Sequence, residues 1–113
     1  MQTVVHVITT SRSSLRDRIV SDVNRLADYS LEVAKEHQRG RPRGWAKLHS
    51  TRDGSGFGAL NLSWDASTRT LVGRVVNRGK GRPGDIVGDF CAYLLRSRFH
   101  SKITLIQVFQ TKT

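Results

Sequence analysis

A chain of 113 residues, 37% hydrophobic and 25% charged, has room for one self-supporting core, which excludes a multidomain machine and a disordered tail alike. Its 19 Lys and Arg stand against 9 Asp and Glu, and the net charge of +10 points to phosphate-bearing partners. The single cysteine, Cys91, excludes an internal disulfide, and no apolar run approaches the length of a membrane-spanning helix. Met1 to Ile8 is too short, and too polar around His6, for a secretory signal. The expected location is therefore the cytoplasm, the nucleoid included.

Thr3–Thr9, TVVHVIT, is β-branched and apolar and predicts a buried strand. Ser14 followed by Asp17 starts a helix in capping-box fashion. Leu15, Ile19, Val23, Leu26 and Val33 keep helical spacing, so that helix is expected to reach His37 or Gln38, with Gly40 as its C-terminal cap. It holds five of the nine acids, which predicts a solvated, salt-bridged outer face. Residues 39–56 read as a loop by their Gly, Pro and Ser, with a short strand around Ala46–Ser50. Gly58–Trp64 alternates, a turn follows over Ala66–Arg69, and Leu71–Asn77 returns as the second arm of a hairpin.

Gly79–Gly84 is a second basic loop. A second helix is expected from Pro83 or Asp85 to Phe99, with Ile86, Val87, Phe90, Cys91, Leu94 and Leu95 as its apolar face. Asp85 and Asp89 near its start and Arg96 and Arg98 near its end suit the helix dipole. Ile103–Phe109 is the last strand. The fold class is thus α+β: one domain over residues 1–113, a mainly antiparallel sheet with two helices packed on one face, in the order β-α-β-β-α-β.

The charge is concentrated. Residues 39–82 hold ten Lys and Arg against two acids, Asp53 and Asp65. Arg39, Arg41, Arg43 and Lys47 lie on one side of this stretch, and Arg74, Arg78, Lys80 and Arg82 on the other. Loops at one end of the sheet would flank a single groove, and such a cluster holds phosphates by Coulomb attraction and counterion release. Parity places Leu71, Gly73 and Val75 towards the core and Arg74 and Arg78 on the open face. Trp45, between Arg43 and Lys47, and Phe57, in the run GSGFGA, are candidates to stack bases. The same residues admit packing in the core, the expectation for Trp64 beside Leu60 and Leu62, and for Tyr29 and Tyr93 on helices.

Arg39-Gly40-Arg41-Pro42-Arg43 also matches the centre of an AT-hook, which lies in an A·T minor groove, and Lys80-Gly81-Arg82-Pro83 echoes it. No pair of the four histidines has metal-ligand spacing, and neither a nucleophile elbow nor a phosphate-cradling Walker loop is present. A metal-independent nuclease could use His49 with Lys47 or Arg52. The residue pattern points to binding rather than catalysis, with no cofactor and no metal.

The hairpin strand LVGRVVNRG, the loop KGRPG, the helix DIVGDFCAYLLRSRF and the strand KITLIQVF resemble the ThermoDBP group of archaeal single-stranded-DNA-binding proteins, over residues 57–109. The resemblance implies a sheet with helices, a basic-flanked cleft that takes single strands with little sequence preference, and a homodimer or higher oligomer. Single-stranded nucleic acid, DNA ahead of RNA, is then the expected partner. An RNA-binding or ribosome-associated protein would carry the same charge signature, as would a module for an acidic protein.

Overall fold

The computed structural model describes residues 2–52, 58–76 and 83–111. Six strands form one antiparallel sheet: β1 (Gln2–Thr9), β2 (Leu31–Lys35), β3 (Trp45–Ser50), β4 (Ala59–Asp65), β5 (Thr70–Val76) and β6 (Ile103–Thr111). Their order across the sheet is β2-β3-β4-β5-β1-β6, so β1 is internal and β2 and β6 are the edges. Three helices, α1 (Leu15–Ser21), α2 (Val23–Asp28) and α3 (Pro83–Arg96), join a short 3-10 turn at His100–Lys102.

The period-two pattern of the strands explains the layering. Val5, Val7, Leu48, Leu60, Leu62, Leu71 and Val75 point to one face and are buried there. From the helices, Leu15 and Ile19 of α1, Leu26 of α2, and Ile86, Phe90, Tyr93 and Leu94 of α3 complete this core. The described helices therefore pack on this one face. On α3 the expected apolar stripe is correct except at Leu95, which is exposed. Burial pushes the Cys91 thiol above its ordinary range, so it is a poor nucleophile. Tyr93 donates to the Asp22 carboxylate at 2.9 Å, and burial, aided by that bond, raises its hydroxyl pKa.

The long first helix is corrected by the structure. Ser14 caps α1 as its sequence suggests, its hydroxyl accepting from the Asp17 backbone N–H at 3.2 Å. But Asp22 leaves helical geometry (φ −96°, ψ 47°), and a separate α2 follows. Ser30 then takes φ 60°, a left-handed conformation that turns the chain into β2. Residues 31–35, LEVAK, are good helix formers, yet Leu31 pairs with Ser50 and Val33 with Leu48. Tertiary pairing outweighs the few tenths of a kcal/mol per residue of propensity. Among the described residues there are thus three α-helices rather than two. Gly40 caps no helix; its φ of 85° serves a tight turn closed by Arg41 N–H on Gln38 O at 2.9 Å.

The salt-bridged helix face is also redrawn, since Glu32 and Glu36 fall outside the helices. Among the described residues the ion pairs are Arg16–Asp17 and Arg52–Asp89. Arg52 grips Asp89 with two bonds of 2.7 Å, tying the end of β3 to α3, so it is committed to structure rather than to a phosphate. No helix among the described residues is long and apolar enough to cross a membrane.

Candidate nucleic-acid interface

The sheet face away from the helices is laid out by strand register. One row reads Lys47 (β3), Asn61 (β4), Arg74 (β5), Val4 (β1) and Phe109 (β6), each the direct partner of the next. The neighbouring row reads Trp45, Ser63, Val72, His6 and Gln107. At about 4.8 Å per strand, Lys47 and Arg74 stand about 10 Å apart, and Arg74 and Phe109 about the same again. Arg74 is exposed, as parity requires, and Lys47 is half-buried. The acids on this face, Glu32 on the β2 edge and Asp65 at the end of β4, sit at its margins. Asp65 is occupied by its own turn, accepting from the Ser67 hydroxyl at 2.6 Å and backbone at 2.9 Å, which holds its carboxyl below the usual range.

Trp45 belongs to this face but not as an open platform. Its ring is 3% exposed, and the Arg41 guanidinium lies over it, 5.4 Å from the ring centre. As the structure stands, no ring face is free for a base. Trp45 instead anchors the loop before β3, with Arg41 packed on its ring. Arg39 and Arg43 project from the same loop and are exposed. The indole Nε1 of Trp45 and the Oδ1 of Asn61 are covered and have no hydrogen-bond partner among the described residues.

The sequence reading missed an aromatic pair that the structure supplies. His6 and Phe109 meet edge to face at 4.8 Å between ring centres, on β1 and β6, beside Arg74 and Val72. Both are partly exposed. The signal was present in β1, where Val5 and Val7 claim the core and thereby send His6 to the other face. Pairing it with Phe109 needed the sheet order.

Gly44 shows how tightly the loop is seated. A Cβ there would lie 2.7 Å from Trp64 O, and Trp64 N–H donates to Gly44 O at 2.9 Å. Gly44→Ala is expected to cost about 1–2 kcal/mol in urea unfolding, because the obstacle is backbone and cannot swing away. Gly40→Ala meets no atom within 4 Å and suffers only from its positive φ, so the comparison separates crowding from backbone strain.

The Arg39–Arg43 loop and the point where β5 leaves the sheet lie at opposite ends. β3 begins and β5 begins at the same end of the sheet, since Trp45 pairs with Ser63 and Asp65 with Thr70. The Arg39–Arg43 loop is therefore at that end, while β5 runs away from it and leaves the sheet at Val76, at the opposite end. Sheet order dictates this separation, and among the described residues Lys47 and Arg74 lie along the open face. Phe57, Arg78, Lys80 and Arg82, with most of the GSGFGA run and the KGRPG loop, lie outside the described residues. Among the described residues no group of three or more His, Cys, Asp or Glu is placed to hold a metal ion. No family model, no curated protein and no solved structure matches this chain.

Proposed function

We propose that this protein binds single-stranded nucleic acid, with little sequence preference, across the open face of its sheet. The observation that carries the reading is the row Lys47–Asn61–Arg74 leading to the His6–Phe109 pair on a face that no described helix covers. Cations hold phosphates and aromatic faces stack bases, and neither act reads sequence. A strand lying across β3 to β6 would cross roughly 19 Å of this face. Arg39, Arg41 and Arg43 would extend the track at one end, with Trp45 fixing their loop. Arg78, Lys80 and Arg82, outside the described residues, remain proposed phosphate contacts on the strength of their charge. The net charge of +10 supplies the long-range attraction. The likeness to the ThermoDBP group agrees with this role, and the cytoplasm is its proposed setting.

Fluorescence anisotropy with equal lengths of labelled single-stranded DNA, single-stranded RNA and duplex DNA tests the reading. Single strands should bind tighter than duplex. Duplex preference would favour the minor-groove reading of the Gly-Arg-Pro loops, and no binding at low salt would defeat the proposal. Phe109→Ala should weaken single-strand binding roughly tenfold, within the 1–3 kcal/mol typical of a stacked base. An unchanged affinity would remove Phe109 from the site.

A further inference from the structure

We propose that β6 pairs with β6 of a second copy of this chain, antiparallel about Gln107, so that two sheets join edge to edge. The two edges of the sheet are built differently. β2 is five residues long, carries Glu32 and Lys35, and has a register shift between Val33 and Lys35. These are the usual defences of an edge strand: brevity, charge and irregularity. β6 is nine residues long, ITLIQVFQT, without a charge or a proline. Its irregularity is confined to its start, where the register against β1 shifts between Ile8 and Thr9. From Leu105 onward the pairing with β1 is regular, and the outer edge has no neighbour among the described residues.

The strand is also self-complementary about its middle. Two-fold antiparallel pairing centred on Gln107 sets Ile106 against the second copy's Val108, Leu105 against its Phe109, and Thr104 against its Gln110. Apolar meets apolar on both faces, and polar meets polar. Leu105 is 45% and Val108 48% exposed, a large apolar surface for a strand edge. A net charge of +10 opposes self-association through basic surfaces, and β6 offers a strip that carries no charge of its own. The partner that fits an uncharged palindromic edge on a strongly basic protein is therefore the same edge. Joined this way, the open faces of the two copies become one surface, with two His6–Phe109 pairs near the dyad.

Sedimentation equilibrium, without nucleic acid, tests this independently of the binding role. The wild-type protein should have dimer mass at micromolar concentration. Val108→Lys, on the helix side of the strand and away from the proposed binding face, should weaken self-association at least tenfold with an unchanged circular dichroism spectrum. A second arm covers a variant that fails to fold. In a Cys91→Ser background, Gln107→Cys should form an intermolecular disulfide, since residues directly opposite lie about 4.5–5.5 Å apart at Cα. Gln110→Cys should not, its copies being about 20 Å apart in this register. A monomer at all concentrations overturns the proposal. So does a dimer indifferent to Val108→Lys, or one that links through residue 110 and not through 107.

Discussion

Arg16→Met is expected to lower stability by about 3 kcal/mol and to release the basic loop between β2 and β3. Arg16 is 5% exposed, and its guanidinium has three partners. Nε donates to Trp45 O at 3.0 Å, Nη2 donates to Glu36 O, and Nη1 donates to the Asp17 carboxylate at 2.8 Å. One side chain of α1 thus holds both ends of the loop that carries Arg39, Arg41 and Arg43. Methionine keeps most of the apolar stem, so the comparison isolates the polar head.

Two effects oppose each other here. Removing a buried charge removes a desolvation penalty, which alone can stabilise a protein. Against it stand charge-assisted bonds of about 1.5–3 kcal/mol each, and carbonyls left without a donor. Asp17 is exposed and recovers its bond from water, so only the two carbonyl bonds count, and their loss exceeds the relief. Urea unfolding gives the total, and faster amide exchange at Arg41 and Trp45 would locate it in the loop. Arg18→Met, on the exposed side of α1, should stay within about 0.5 kcal/mol of wild type. If Arg16→Met matches it, the guanidinium does not clamp the loop.

The second large effect is on binding. The double variant Lys47→Ala, Arg74→Ala should lose about 25-fold in affinity for a single-stranded oligomer at about 0.1 M salt. The estimate follows from counterion release, because a slope near −0.7 per phosphate contact makes each contact worth about fivefold at that salt. The salt series carries a sharper signature, since the log–log slope should become shallower by about 1.4. A general disturbance of the fold would lower affinity without changing the slope by that amount. Arg74 is exposed and Lys47 half-buried, and the paired surface substitution should leave the unfolding midpoint nearly unchanged. An unaltered slope would mean that phosphates lie elsewhere than on this row. Adding Arg16→Met would then show whether the seated form of the first loop matters.

Much of the fold was legible because alternation is a local signal. The strands at both ends of the chain, the hairpin of β4 and β5, the Ser14 cap and the apolar face of α3 all follow from residue spacing. So does the placement of Arg74, because Leu71, Gly73 and Val75 must share the core face. Leu31–Lys35 was not legible, since Leu, Glu, Ala and Lys favour a helix and Val33 also falls on the helical stripe. Sheet order was hidden for a different reason, because it is decided between segments far apart in sequence. That one unknown concealed that β5 leaves the sheet at the end opposite the Arg39–Arg43 loop. It also concealed that His6 meets Phe109.

The position of β1 bears on how the protein is made. Its two neighbours are β5 and β6, both far downstream in the chain, so β1 is made before either of the strands that enclose it. Its strand partners among the described residues are all distant in sequence, and contacts of such long range form slowly. Until Thr70–Val76 emerges, an uncharged apolar strand waits without a sheet, and until Ile103–Thr111 emerges one side of it remains open. That interval is when premature association is most dangerous for this chain. Truncation before residue 103 should accordingly yield aggregates rather than a smaller folded domain.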